Sequence, residues 1–77
     1  MPHVVVKMHA GRTEEQKQKL AEAIKKSVIE IAVCPEHGVS VAIEEYSKEE
    51  WPEAVYRPEI LGKEETLVIK PGYNPFE

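Results

Sequence analysis

Residues 2–17 read Pro2-His3-Val4-Val5-Val6-Lys7-Met8-His9-Ala10-Gly11-Arg12-Thr13-Glu14-Glu15-Gln16-Lys17, and two different periods meet inside that stretch. From Pro2 to Met8 the pattern is that of a strand. Side chains alternate along an extended chain, so Val4, Val6 and Met8 share one face while His3, Val5 and Lys7 share the other. Ala10-Gly11-Arg12 breaks the run. Thr13-Glu14-Glu15-Gln16 then has the form of a capping box, in which Thr13 accepts from the Gln16 N–H and Gln16 reaches back. Glu14 and Glu15 suit the positive end of a helix dipole.

Working outward, the helix is expected to run to about Val33. Leu20, Ile24, Val28 and Ile31 are spaced four, four and three apart, and Ala21 and Ala32 widen that apolar stripe. Cys34-Pro35 stops it, because proline cannot continue the hydrogen-bond ladder and restricts the residue before it. After Gly38, Val39 to Glu45 reads as a second strand, with Val39, Val41 and Ile43 on one face and Ser40, Ala42 and Glu44 on the other. Strand, helix and strand in this order form a right-handed α/β unit: two parallel strands joined by a crossover helix. Two parallel strands alone make a poor sheet. Pairing with a second copy would give four strands with helices on one face.

The remainder is expected to be a short helical and turn-rich tail. Lys48 to Trp51 suits one turn of helix, and Pro52 and Pro58 are expected to interrupt a longer one. Ile60 to Ile69 carries a loose helical pattern weakened by Gly62. Lys70-Pro71-Gly72-Tyr73 reads as a turn and Asn74-Pro75-Phe76-Glu77 as an extended end. The expected organisation is one domain over residues 1–77, with a β-α-β core at 2–46 and a tail at 47–77.

Size and composition restrict what such a domain does. The chain has 77 residues and a formal net charge of −4, which argues against nucleic acid as the main partner. No apolar run approaches the length of a membrane span or a signal-peptide core. The single cysteine, Cys34, cannot form an internal disulfide or a cysteine-built metal site, and its thiol fits a reducing cytoplasm. A chain this short buries only about 60% of its unfolded surface, so its core alone is marginal. Self-association is the expected remedy.

The common catalytic arrangements are absent. There is no Ser/His/Asp set, nucleotide loop or zinc spacing; His3, His9 and His37 are scattered, and Cys34 reads as an end-of-helix residue. The first two residues are different. Methionine before a small residue is normally trimmed, and its removal would expose Pro2 as a secondary amine at the head of a strand. An α-amino group titrates near 7.7–8.0. An apolar pocket and a nearby cation both disfavour the charged form, leaving a base.

Met1-Pro2, the alternating strand, Gly11-Arg12-Thr13-Glu14-Glu15-Gln16-Lys17 at the helix start, Pro35 at its end and the strand from Val39 together resemble the tautomerase superfamily, the relatives of 4-oxalocrotonate tautomerase. The chain length, Trp51, the tail and Lys70-Pro71-Gly72-Tyr73 are most similar to the dimeric PptA-type bacterial branch. The resemblance implies the β-α-β tautomerase fold, with a four-stranded sheet completed by dimerisation. It implies a cofactor-free keto–enol tautomerase acting on a small 2-hydroxy-dienoate or aryl enolpyruvate, with no metal or organic cofactor. Pro2 would be the general base, Arg12 the binder of a substrate carboxylate, and Trp51 an aromatic wall of the pocket. The tail would cover the sheet face that hexameric relatives bury, so a homodimer is expected. Ser40 departs from the family pattern, standing where well-known members have a second arginine. That favours a mono-acid, unless Arg57 or Lys70 supplies the missing cation. Two alternatives stand beside this reading. One is a hydratase or dehalogenase of unsaturated acids, with Glu49, Glu50 or Glu53 activating water and a protonated Pro2 as acid. The other is a non-catalytic dimeric ligand-binding module.

Overall fold

Thr13 Oγ1 accepts from the Gln16 N–H at 3.1 Å, and Gln16 Oε1 accepts from the Thr13 N–H at 2.9 Å, in the computed structural model, which describes residues 1–77. This capping box satisfies two of the donors that a helix start leaves over, an arrangement worth about 1 kcal/mol. From it helix α1 runs over Glu14–Ala32. Val33 closes the helix in the left-handed region (φ 54, ψ 73), and Pro35 follows. A β-branched residue is disfavoured there, so the turn is held by what flanks it. Strand β1 spans His3–His9 and strand β2 spans Ser40–Tyr46; they lie side by side and parallel, with α1 as the crossover. Both strands sit one residue later than their patterns read.

The alternation holds in part: Lys7 and Ala42, read onto the outer faces, are half-buried as well. Val4, Val6 and Met8 are half-buried, while His3 and Val5 are exposed. Lys7 on β1 approaches Glu44 on β2 at 3.9 Å, a cross-strand pair of opposite charge. On α1, Leu20, Ala21, Ile24 and Val28 are half-buried as expected, joined by Lys17, Lys25 and Ile29. Ala32 is exposed against expectation, and so is Ile31, at 82%. Its angle around the helix is right, but its height is not. Nineteen residues of α1 span about 28 Å, against about 23 Å for a seven-residue strand, so the last turn overhangs the sheet.

Residues Met1–Glu45 and Tyr46–Glu77 form two compact units. In the second, Ser47 and Glu50 make another reciprocal cap: Ser47 N–H donates to Glu50 Oε1 at 2.7 Å and Glu50 N–H to Ser47 Oγ at 3.1 Å. A wide-turned π-type helix follows over Pro52–Ile60 and a 3₁₀ helix over Leu61–Thr66. The expected interruption by the two prolines does not occur. Pro52 occupies the first turn, where a missing N–H costs nothing. Pro58 lies inside the helix, and widening the turn relieves the clash of its ring with the carbonyl one turn back. Gly62 permits the join between the two helices, since a Cβ there would lie 3.2 Å from the Arg57 carbonyl oxygen.

Two other expectations for the tail are corrected. Helical structure stops at Thr66, so Val68 and Ile69 are 97% and 86% exposed. The end is also a turn rather than an extended strand. Asn74 Oδ1 accepts from the Phe76 N–H at 2.9 Å and the Asn74 carbonyl from the Glu77 N–H at 3.2 Å, the side-chain-mimicked turn that asparagine favours. Val55 and Tyr56 are the buried apolar side chains, at 3% and 4% exposed, whereas α1 has no fully buried residue. No helix is long and apolar enough to cross a membrane.

Candidate active site

Pro2 sits at the head of β1, half-buried, and its carbonyl accepts from the Ser40 N–H at 3.2 Å. Proline suits this position because the first residue of a strand need give no N–H. Ser40 holds the neighbouring residue too: its hydroxyl lies 2.6 Å from His3 Nδ1. Where the family pattern suggested a cation, Ser40 therefore anchors the start of β1 to the start of β2. Gly38, two residues earlier, is buried. A Cβ on it would lie 2.9 Å from Met1 Sδ and 3.8 Å from Met1 Cα. Glycine thus leaves room for whatever occupies the space beside the Pro2 nitrogen.

Arg12 lies beyond the other end of the same strand. Gly11, at φ 126, turns the chain out of β1 in a conformation that side chains disfavour, and Arg12 follows it. Arg12 is exposed and donates from Nη1 to the His9 carbonyl at 3.1 Å, which keeps the guanidinium near the strand end. Glu45 feels its charge but is engaged by Lys17, whose Nζ is 2.8 Å from Glu45 Oε1 and 2.9 Å from Glu14 Oε1. The Lys17 hydrogen bond holds the Glu45 carboxyl below the usual carboxylate range, and the Gly11 N–H and Arg12 charge add to it. Lys17, in turn, is raised by its bonds to Glu14 and Glu45. Arg12 is consequently not the counter-ion of Glu45 and keeps donors to offer an anion.

The seven residues of β1 put about 26 Å between the positions flanking it. That exceeds what an arginine side chain and a small acid span together. Within one chain, then, Pro2 and Arg12 are not brought to one place. The sequence already held this fact, in the number of extended residues between them.

Trp51 belongs to the second unit. Its N–H is bonded to the Ser47 carbonyl at 3.1 Å, so the cap at Ser47 sets its place. The indole Nε1 donates to Tyr73 Oη at 2.9 Å, and Tyr46 meets the indole edge-on, with centroids 6.2 Å apart at 77°. Tyr56 donates its hydroxyl to the Tyr73 carbonyl at 2.7 Å, and burial pushes the Tyr56 phenol above its ordinary value. Arg57 is committed locally: Nε and Nη2 donate to the two Glu53 oxygens at 2.9 and 3.1 Å, and the guanidinium lies 4.4 Å from the Phe76 ring centroid. It does not stand free as the missing cation. Of the three carboxylates proposed to activate water, Glu50 is bound to the Ser47 N–H and Glu53 is held below the usual carboxylate range by Arg57. Glu53 is thereby a poorer base.

Comparison with known proteins adds to this geometry. The family model described as Tautomerase enzyme matches residues 2–55. A probable tautomerase of Xylella fastidiosa (strain 9a5c) is 36% identical over 74 residues, covering 96% of this chain and 90% of that protein. Tautomerase PptA of Cronobacter sakazakii (strain ATCC BAA-894) is 35% identical over 75 residues, covering 96% of this chain and 99% of that one. Among solved structures, YwhB, a homologue of 4-oxalocrotonate tautomerase, matches with a TM-score of 0.65 at 42% identity. That match covers 69% of this chain and 87% of YwhB.

Proposed function

The chain belongs to the tautomerase family and is PptA-like, and from that premise we propose that it interconverts keto and enol forms of a small acid, with the amine of Pro2 as general base. The observation that carries the reading is the place of Pro2, at the first residue of the family match and the head of β1, with side-chain-free Gly38 beside Met1. Once methionine is trimmed, the nitrogen becomes a secondary amine facing that space. It takes a proton from the substrate's hydroxyl or carbon and returns it elsewhere, a task worth about 10²–10⁴ in rate when the base is positioned. The substrate's carbonyl accepts the electrons. Arg12 binds the carboxylate, where a planar guanidinium makes two parallel bonds. Trp51 offers its indole to the conjugated part of the substrate. With Ser40 engaged by His3, a single-carboxylate aryl enolpyruvate suits the site better than a dicarboxylate.

On this reading, in which Pro2 and Arg12 serve one substrate, the span of β1 calls for an Arg12 from another copy. Two chains related by a two-fold axis, with their strands antiparallel across it, set the end of one β1 beside the start of the other. Half-buried β1 and α1 faces and a core limited to Val55 and Tyr56 support such a pair, because a single chain covers little of its apolar surface.

Intact mass of the active protein, followed by incubation with a bromo-keto acid, tests the base. The expected result is a chain lacking methionine, alkylated once at its terminal nitrogen with loss of turnover. Active material that retains Met1 would end the mechanism, since an amide nitrogen has no basic lone pair.

Arg12→Ala is expected to raise the KM for phenylenolpyruvate about 10- to 100-fold, the worth of charge-assisted hydrogen bonds, and to leave an uncharged enol unaffected. Mixing this variant with Pro2→Ala adds a sharper readout. Mixed pairs would hold one intact site, restoring about a quarter of the wild-type rate if the pair is a two-fold dimer. Arg12 and Pro2 acting within one chain would restore none.

A further inference from the structure

The Trp51 indole carries one donor, Nε1–H, and that donor is given to the Tyr73 hydroxyl at 2.9 Å. The ring of Tyr46 meets the indole edge-on, 6.2 Å away. The hydrogen bond adds a directional hold on the indole, and a firm one where its acceptor is itself fixed.

Tyr73 is fixed from two sides, although it is 53% exposed. Its carbonyl accepts from the Tyr56 hydroxyl at 2.7 Å, and its ring lies against the Tyr56 ring at 5.4 Å and 59°. Tyr56 is only 4% exposed and sits on the helix that starts beside Trp51. The residues after Tyr73 are tied to the same helix. Phe76 meets Tyr56 edge-on at 6.0 Å and lies under Arg57, which Glu53 holds by two bonds. Residues 73–76 are thereby latched onto Tyr56 and Arg57, and the latch presents one hydroxyl to the indole.

We propose that Tyr73 is the positioning residue for the substrate-facing Trp51: its hydroxyl, held by the Tyr56 latch, sets the plane in which the indole meets an aryl or dienyl acid. This rests on the reading that Trp51 lines the substrate pocket. Tyr73 touches no reacting atom in this scheme and acts on affinity through the ring it orients.

Tyr73→Phe isolates the effect, because it removes the acceptor oxygen and keeps both the ring and the carbonyl that Tyr56 uses. With phenylenolpyruvate, Tyr73→Phe is expected to raise KM about three- to tenfold, the worth of one hydrogen bond, and to leave kcat within about twofold. Trp51 is the only tryptophan, so its emission reports the same bond directly and is expected to shift. Trp51→Phe is expected to raise KM as well, and Tyr73→Phe added to it to raise KM no further. An unchanged KM and emission in Tyr73→Phe, beside a raised KM in Trp51→Phe, would overturn the positioning role while leaving the pocket reading intact. Equal KM increments from Tyr73→Phe with and without Trp51 would overturn it too, marking a structural effect. An unchanged KM in Trp51→Phe would remove the pocket reading and the proposal together.

Discussion

Replacing Pro2 by alanine is expected to cut phenylenolpyruvate turnover by about 10²–10⁴-fold, the loss of a positioned base, and to leave the fold unchanged. The fold should survive because the main role of Pro2 in the backbone is its carbonyl, which accepts from the Ser40 N–H at 3.2 Å. Alanine offers the same carbonyl in the same extended conformation. It is also small enough for the initiator to be trimmed, so the variant begins at the same position. What changes is the nitrogen: a ring-held secondary amine with one orientation becomes a freely rotating primary one. Circular dichroism and steady-state rates on the same preparation check both halves. Wild-type turnover with a wild-type spectrum would reject the mechanism, because no other group is assigned the proton.

The second large effect concerns stability. Tyr56→Ala is expected to lower the unfolding free energy by about 3–5 kcal/mol, the range for truncating a buried aromatic. Tyr56 is one of two buried apolar side chains, touches the rings of Tyr73 and Phe76, and holds the Tyr73 carbonyl. Small domains have a total margin of roughly 5–15 kcal/mol, so this substitution should leave the chain near its threshold. Tyr56→Phe should cost only about 1 kcal/mol, since it removes the hydroxyl bond and keeps the packing. Urea unfolding at fixed protein concentration measures both, the concentration being fixed because a self-associating chain gains stability by mass action. A loss below about 1 kcal/mol for Tyr56→Ala would show that residues 73–76 are not fastened through Tyr56.

Local signals carried the first unit. The alternation of Val4, Val6 and Met8, the Thr13–Gln16 cap and the stop at Pro35 each depend on neighbours a few residues apart, and the strand–helix–strand order follows from them. Ile31 failed because periodicity gives a side chain's angle around a helix and says nothing of where the sheet beneath it ends. The tail was harder for a different reason. Its cap, Ser47-x-x-Glu50, was present in the sequence and repeats the pattern at Thr13, but the prolines after it argued for interruption. A widened turn accommodates Pro58 without any local signature. The latch joins Trp51 to Tyr73 and Tyr56 to Phe76, pairs about twenty residues apart in no period, so only the folded chain displays it. Of the proposed site, the residues were legible one by one. Their separation was legible only by counting along β1.

That count turns β1 into a ruler. Pro2 and Arg12 stand at its two ends, so their separation within one copy is graduated in strand residues rather than shaped by loops. Adding two residues to β1 would keep every inward and outward face and lengthen the gauge by about 6.6 Å; adding one would turn the downstream faces over. A strand that keeps its buried face can therefore change length only in steps of two.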